Sequence, residues 1–512
     1  MGRPVDRLSV CIALEIIMSA DPTASLLERP DQFFIGGAWV APSSDARIKV
    51  INPATEELFL TVAEAQADDM NRAVAAARHA FDKGPWPRMT HAERAAYLRA
   101  FAAELRRRLS DVSRIWTSEV GVTRGVADAF MAGVPDIFDY YAGLAESFQW
   151  VERHEALHSP GAVASFLVRE PVGVVGAIVP WNGAANLAAW KCAPALIAGC
   201  TLVLKASPES PGGPLLYGEI AKAIGLPAGV LNVVTADREV SELLVRNPGV
   251  DKITFTGSSA AGKKIASICG ERIARCTLEL GGKSAAVILD DYDVEEAAAH
   301  IAAYAPMLSG QVCSSLTRLV ISKHRHDDFA EAMAAAFKAI QVGDPADAAV
   351  GMGPLAMARQ RDRVEGYIAK GREEGATVAT GGGRPAHLNR GYFVEPTVFA
   401  NVDNRMTIAR EEIFGPVVSI IPADNEEHAV EIANDTLFGL NSSVFTNDAT
   451  RAWQVARQLQ AGTVGHNWFR TDFTIAFGGF KQSGIGREGG TEGLLPFLEA
   501  KTIILEGEPV LG

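Results

Sequence analysis

The chain has no paired cysteine framework. Its six cysteines (Cys11, Cys192, Cys200, Cys269, Cys276, Cys313) are scattered, with no Cys-x-x-Cys spacing and no His-rich tract. That excludes a zinc centre or a disulfide scaffold, predicts no metal site, and points to a reducing, cytoplasmic setting. Basic charge is also scarce: 48 Lys and Arg face 61 Asp and Glu, a net charge of −13 without a basic stripe. Nucleic-acid phosphates or an anionic membrane surface would require the opposite balance. No run of about 20 apolar residues exists to span a bilayer. The nearest stretch, Leu8 to Met18 behind Arg3 and Arg7, loosely resembles a signal peptide, but Glu15 interrupts it and no small-residue cleavage site follows. Residues 1–25 are therefore expected to be a disordered leader or an over-extended start, with Met18 an alternative initiator. Internal repeats and low-complexity tracts are absent as well.

What remains is a long, well-mixed chain. Its 512 residues exceed what one hydrophobic core usually serves, and 48% hydrophobic with 21% charged residues leaves no room for extensive disorder. Between Val172 and Glu279, β-branched runs alternate with helix-length Ala/Leu segments, as in a parallel sheet wrapped by crossover helices. Strands are expected at Val174–Val179, Thr201–Lys205, Val230–Val234 and Lys252–Thr256. Helices are expected near Asn186–Ala198, Gly213–Ile224 and Val240–Arg246 and onward from Ala260. A second α/β set begins at Ala285–Leu289, continues through Val294–Tyr304, Arg318–Ile321 and His326–Ala339, and runs towards Phe480. Before them lie a hairpin at Phe34–Trp39 and helical stretches at Met70–Phe81 and Ala92–Leu109. Ala162–Arg169, after Ser159-Pro160-Gly161, predicts one arm of a projecting hairpin, which is marginal alone and needs a partner surface.

Cys313 lies in Ser309-Gly310-Gln311-Val312-Cys313-Ser314-Ser315, 34 positions after Glu279 in Leu278-Glu279-Leu280-Gly281-Gly282-Lys283. A thiol and a carboxylate can supply a nucleophile and a general base to one carbonyl. A free cysteine is most often an inert core residue and an isolated glutamate a solvated one. The polar, glycine-flanked surroundings of Cys313 read instead as a loop, and apolar neighbours predict partial burial and a raised pKa for Glu279. After strand Lys252–Thr256, Gly257-Ser258-Ser259-Ala260-Ala261-Gly262 opens a helix, a natural seat for pyrophosphate. Gly257, Gly262 and Lys263 also fall at phosphate-loop spacing, but position 264 is Lys where a metal-binding hydroxyl is required, which argues against a nucleotide hydrolase. Pro180-Trp181-Asn182, after strand Val174–Val179, places an amide at the carboxyl edge of the sheet, where it is either an oxyanion donor or an ordinary turn residue. Lys191 follows closely. Lys205-Ala206-Ser207-Pro208-Glu209 ends the next strand, and Lys205 there suits ribose hydroxyls, a phosphate or plain solvent. Glu411-Glu412-Ile413-Phe414-Gly415-Pro416 and the glycine-dense run Phe477 to Glu488 complete the set.

In this order and near these spacings, the motifs resemble those of the aldehyde dehydrogenase superfamily, from about Phe33 to Ile503. The resemblance implies an α/β fold, with a Rossmann-like parallel-sheet cofactor domain (26–148 and 171–280), a second α/β catalytic domain (281–483) and a small β oligomerisation element (149–170 and 484–512). It implies oxidation of an aldehyde to a carboxylic acid through a Cys313 thiohemiacetal and thioester, hydrolysed by water that Glu279 activates. Asn182 and the Cys313 amide would form the oxyanion hole, with Lys191 in support. NAD or NADP would be the cofactor. Lys205 is assigned to the adenosine ribose, Trp181 and Ser258 to the pyrophosphate and its approach, and Glu412 and Phe414 to the nicotinamide ribose. Val179, Pro180, Ser207, Pro208, Glu209, Gly257, Leu280 and Gly281 would complete that surface. NAD-preferring relatives often carry Glu three places after the strand-end Lys; here that place is Pro208, and NAD is favoured only because Glu209 is adjacent and no further cation joins Lys205. Other departures are Gly183-Ala184 after Asn182, Leu308 before Ser309, and Ala476 before Phe477. The aromatics of Trp468–Phe473 suggest an apolar or aromatic aldehyde, with Arg470 either holding an anionic tail or pairing with Asp472. A homodimer or homotetramer is implied. Glu279 speaks against coenzyme A-acylating relatives, the cofactor-like strand ends against a cofactor-free cysteine esterase, and the retained Cys313 and Glu279 against a non-catalytic relative.

Overall fold

The computed structural model describes residues 26–155, 157–158 and 163–509. The expected leader and the Ser159-Pro160-Gly161 turn lie outside the described residues. Among the described residues, the strands form an eight-stranded sheet, a seven-stranded sheet, a three-stranded ribbon and a two-stranded hairpin. The expected α/β class holds.

The eight-stranded sheet is built on five parallel strands, Val174–Ile178, Thr201–Ala206, Leu231–Thr235, Lys252–Thr256 and Arg275–Glu279. The first four are buried along their length, which is why they read as continuous apolar runs rather than alternating ones. The chain starts in the middle at Val174–Ile178, builds outward through Leu231–Thr235, then crosses to Lys252–Thr256 on the other side. The strand order reverses between Val174–Ile178 and Lys252–Thr256, and in open sheets the crevice outside the carboxyl ends of the strands at such a switch point is where ligands bind. Helix Ala184–Ala198 is buried nearly all round because it lies between this sheet and an outer helical layer, and left-handed Gly199 stops it. Trp86, Phe101, Phe138 and Tyr217 anchor that layer, each fully buried, which stabilises it by roughly 2–3 kcal/mol per side chain.

The seven-stranded sheet runs, in spatial order, through Thr377–Thr380, Thr397–Ala400, Val417–Ala423, Leu316–Ser322, Ser284–Ile288, Asn441–Phe445 and Thr463–His466. Only the first of these is antiparallel. The two sheets are joined by the four residues Leu280-Gly281-Gly282-Lys283.

Three expectations need correction. The helix expected over Ala92–Leu109 ends at Arg107, and a second begins at Leu109 after Arg108, whose guanidinium turns to Asp111 and Glu219. Helices Arg124–Ala132 and Val134–Ser147 were not anticipated. The expected hairpin arm before Pro171 is there: Val163–Pro171 pairs antiparallel with Val151–His154, the strand before it, and Leu498–Glu506 covers its other edge, which makes it the central strand of the ribbon. Of the tail after Gly484, only Leu498–Glu506 joins that ribbon. Gly484–Ile485 instead adds to the edge of the eight-stranded sheet, because its backbone pairs with Leu278 and Glu279.

Candidate active site

Cys313 precedes strand Leu316–Ser322 on a loop bound at several points. Leu308 and Ser309 both adopt left-handed backbone, with φ of 51° and 53°, a conformation side-chain-bearing residues hold only when their surroundings enforce it. Here the Ser309 hydroxyl donates to the carbonyls of Gly353 and Pro354 at 2.8 and 2.9 Å. The Gln311 side chain donates to Leu308 O at 2.8 Å and accepts from the Ala356 amide at 3.1 Å. The Asn182 amide donates to Gln311 O at 2.9 Å, while its own carbonyl accepts from Trp116. The crevice end of Val174–Ile178 thus sits against the loop that presents Cys313.

Gly281 and Gly282 are required by contacts. A Cβ on Gly281 would lie 2.4 Å from Glu412 Oε2, and one on Gly282 would lie 2.4 Å from the Cys313 carbonyl. Without side chains, the link between the sheets lets Glu412 accept from the Gly282 amide at 3.1 Å. Phe414, itself left-handed at φ 61°, meets Trp181 edge to face at 5.4 Å. Gln360 donates to its carbonyl at 2.7 Å. Trp181 and Phe414 therefore form one wall of the crevice from both sides.

Glu279 ends its strand beside Thr256, one strand over. It is buried, and neither carboxylate oxygen has a hydrogen-bond partner among the described residues. Burial raises its pKa well above the ordinary carboxylate range, the charge of Glu488 adds to the rise, and Lys191 and Arg487 oppose it. Lys191 is wholly buried, ion-paired with Glu488 and bonded to Thr256 Oγ1 at 2.7 Å. Burial pushes the Cys313 thiol up to about 12, and the nearby charges of Glu412 and Glu279 add to this, while the amides of Ser314 and Cys313 itself work the other way. Glu412 is raised to about 7 by burial, against the pull of the Gly282 amide, Arg363 and Lys283. Two buried carboxyl groups thus flank the desolvated thiol and discourage its ionisation.

The cofactor-directed residues gather at neighbouring strand ends. Val179 donates to Lys205 O at 3.3 Å. Burial lowers the Lys205 ammonium to about 8, with the charges of Glu209 and Asp237 opposing the fall. Ser258 caps helix Ser259–Arg272 by accepting from the Ala261 amide at 3.3 Å, so the positive helix end faces the crevice after Gly257. Leu280 donates its amide to Ser483 at 2.9 Å. A dinucleotide suits this set: a desolvated cation beside the carboxylate of Glu209, a helix N-terminus for pyrophosphate, and a carboxyl oxygen of Glu412 next to an aromatic wall. Among the described residues, no group of three or more His, Cys, Asp or Glu could hold a metal ion.

Two expectations about this region change. A cation does join the Lys205 end: Arg359, from helix Ala358–Glu373, pairs with Glu209, whose other oxygen takes the Ser207 hydroxyl. The aromatics of the 468–473 stretch divide. Trp468 packs on His300 and Tyr304, and Phe469 on Tyr304, because their backbone turns them onto helix Val294–Tyr304. Only Phe473 reaches the opposite side, edge to face with Tyr140 at 6.1 Å. Asp472 caps Thr474 through amide and hydroxyl, at 2.8 and 2.7 Å, rather than pairing with Arg470. Beyond the expected residues, the structure brings in Glu488, Gln311, Gln360, Arg359 and Arg363, the last donating to Glu412 O at 2.6 Å. Glu488 and Gln311 stood inside motifs already singled out, yet nothing local marked Glu488 as the partner of a lysine 297 positions away.

A family model described as the aldehyde dehydrogenase family matches residues 39–503. The chain is 44% identical over 475 residues to geranial dehydrogenase of Castellaniella defragrans, covering 93% of this chain and 98% of the relative. It is 40% identical over 475 residues to betaine aldehyde dehydrogenase 1 of Oryza sativa subsp. japonica, covering 92% and 94%. Among solved structures, a Mycobacterium tuberculosis aldehyde dehydrogenase complexed with NAD+ superposes with a TM-score of 0.92 at 45% identity, over 94% of this chain and 100% of that one. An aldehyde dehydrogenase from Pseudomonas syringae complexed with NAD+ and octanal gives a TM-score of 0.90 at 35% identity, over 95% and 99%.

Proposed function

Because the chain belongs to the aldehyde dehydrogenase family and is an NAD(P)-dependent oxidoreductase acting on aldehydes, we propose that Cys313 is its nucleophile and Glu279 the base that frees its product. The observation that carries this reading is the buried, unpartnered Glu279 carboxylate within electrostatic reach of the Cys313 thiol. A buried acceptor without a partner is costly, and a water positioned for attack is what would satisfy it.

The Cys313 thiol, raised by burial, first gives up its proton to water; the thiolate then attacks the aldehyde carbon, and the carbonyl oxygen becomes an oxyanion. Asn182 has one N–H committed to Gln311; its second, with the Cys313 amide, suits that oxyanion. A nicotinamide held by Glu412 and Phe414 would supply a hydride acceptor, and loss of hydride from the thiohemiacetal carbon would leave a thioester on Cys313. Glu279 then takes a proton from water, hydroxide adds to the thioester, and the acid leaves as the thiol is restored. Lys191, paired with Glu488, holds a positive charge near Glu279 and keeps its pKa from rising further. Glu412 and Phe414 are assigned to the nicotinamide ribose, Ser258 and Trp181 to the pyrophosphate, and Lys205, with Val179, Pro180, Ser207, Pro208, Glu209, Gly257, Leu280 and Gly281, to the rest of the dinucleotide.

The substrate we assign is an apolar aldehyde. Trp190 and Phe477 meet edge to face at 5.6 Å beside Lys191 and Gly478, and Tyr140 and Phe473 meet edge to face at 6.1 Å. The geranial dehydrogenase relative supports this choice. The same aromatic faces suit a quaternary ammonium, as the betaine aldehyde relative would use. Absorbance of reduced nicotinamide, followed with terpenoid, aromatic, ammonium-bearing and carboxylated aldehydes against NAD+ and NADP+, separates the two. Strongest turnover of carboxylated aldehydes would overturn both.

The sheet make-up supports the division into a cofactor domain (26–148 and 171–280), a catalytic domain (281–483) and an oligomerisation ribbon drawn from 149–170 and the tail. Open edge strands support a homodimer or homotetramer: among the described residues Leu498–Glu506 lies at the ribbon's rim with Ile504 and Leu505 exposed, and Thr463–His466 ends the second sheet. A single monomeric species in analytical ultracentrifugation would refute this. The described cysteines are all free, which supports a cytoplasmic setting, and no described helix is long and apolar enough to cross a membrane.

A further inference from the structure

The adenosine end of the crevice holds an ion pair that bridges two parts of the chain. Glu209 follows Pro208 at the end of strand Thr201–Ala206, in the first sheet's half. Arg359 stands in the first turn of helix Ala358–Glu373, which packs in the second half. Their contact spans 150 positions. Both Glu209 oxygens are engaged, one by Arg359 and one by the Ser207 hydroxyl, so the carboxylate has a set direction. Arg359 is itself 68% exposed on its side chain, while Glu209 is 23% exposed; the arginine reaches in from solvent to a largely buried acid. Resting on the reading that Lys205 marks the adenosine ribose, we propose that Arg359 is a specificity-determining residue for the dinucleotide, acting by holding Glu209 against the ribose 2′ position.

Two consequences follow from charge alone. With Arg359 in place, the Glu209 carboxylate is fixed where it can accept from a 2′-hydroxyl and repel a 2′-phosphate, so the chain prefers NAD+ to NADP+. With Glu209 neutralised, Arg359 loses its partner and becomes an unpaired cation at the same place, where a phosphate is its natural acceptor. The pair therefore sets the sign of the preference, and Pro208, which cannot supply a carboxylate, leaves that task to Glu209.

The test is direct binding by calorimetry of NAD+, NADP+ and 2′-AMP to a Cys313→Ala background, alongside steady-state kinetics of the Cys313-containing forms. Arg359→Gln should weaken NAD+ about tenfold and narrow the NAD+ to NADP+ affinity ratio, raising KM for NAD+ while leaving kcat at saturation unchanged. Glu209→Gln should shift that ratio towards NADP+ by at least about tenfold, roughly 1.4 kcal/mol, and bring 2′-AMP into measurable binding. Glu209→Gln with Arg359→Gln should lose the NADP+ gain. Unaltered affinities in Arg359→Gln, or an NADP+ gain that survives in the double variant, would overturn the assignment to Arg359. Failure of the parent to bind either dinucleotide would instead overturn the reading of the pocket itself.

Discussion

The loop that carries Cys313 and the strand end that carries Glu279 meet in one crevice, yet they are built on opposite terms. Around Cys313 the polar groups are accounted for: Ser309 on two carbonyls, Gln311 on Leu308 and Ala356, Asn182 on Gln311. Around Glu279 the backbone is paired, but the carboxylate has no partner at all among the described residues. The difference follows from the work each does. A nucleophile gains from being held in one place, since misplacement by about 1 Å can cost 10²-fold in rate. A base that must serve water needs an open lone pair and a raised pKa, and both come from burial without a partner.

The sharpest way to break this contrast is to remove its first member. Cys313→Ala is expected to lose aldehyde oxidation by at least about 10³-fold while calorimetry still registers dinucleotide binding; retained turnover would dismiss Cys313 as nucleophile. Glu279→Gln is expected to lower the steady-state rate by about 10²- to 10⁴-fold while leaving the first turnover intact, which stopped-flow absorbance can resolve. An equal loss in both phases would move Glu279 out of the hydrolytic step.

Smaller changes tune the pair rather than abolish it. Glu488 raises the Glu279 pKa and Lys191 lowers it. Glu488→Gln should therefore move the alkaline-rising limb of the rate profile to lower pH, and Lys191→Met should move it to higher pH. Shifts in the same direction would show that these residues act by another route. Lys191→Met should also unfold at lower temperature, because it leaves Glu488 as an unpaired buried charge, typically a loss of about 3–5 kcal/mol. Gln311→Ala strips two side-chain bonds from the Cys313 loop, a cost of about 1–3 kcal/mol, and should reduce kcat about tenfold with little change in cofactor KM.

Glu119 gives the smallest effect on turnover and marks the difference between a structural and a reactive acid. It is as buried as Glu279 and burial lifts it to about 8, yet its oxygens take the Ser210 hydroxyl and the Gly212 amide at 2.7 and 2.9 Å. Its folded pKa lies above the ordinary 4.5, so its contribution to stability is complete below about 4.5 and is lost as pH rises through about 8. Glu119→Gln should flatten that part of the melting-temperature profile and leave the rate profile unmoved.

How much of this was legible in the sequence depended on distance along the chain. Cys313 and Glu279 each stood in a short, peculiar setting of glycines and small polar residues, and the buried β-branched runs announced the parallel strands because full burial leaves no alternation to misread. The Lys191–Glu488 and Glu209–Arg359 pairs left no such mark. Each joins residues from separate parts of the chain, and a charge shows nothing about its partner until the fold brings the two together. The 468–473 stretch misled for a related reason: an irregular segment has no period, so composition alone does not tell which aromatics face the crevice and which face helix Val294–Tyr304. The tail divided between ribbon and sheet edge because backbone pairing at Gly484–Ile485 needs no side-chain signal.

The most direct test of the account is to trap the reaction between its two steps. Glu279→Gln, mixed with excess aldehyde and NAD+, quenched in acid and digested, is expected to give reduced cofactor at about one equivalent per site and an acyl mass added to the peptide bearing Cys313. An unmodified Cys313 peptide, or an acyl group on any other residue, would contradict the division of labour between the fixed thiol and the free carboxylate.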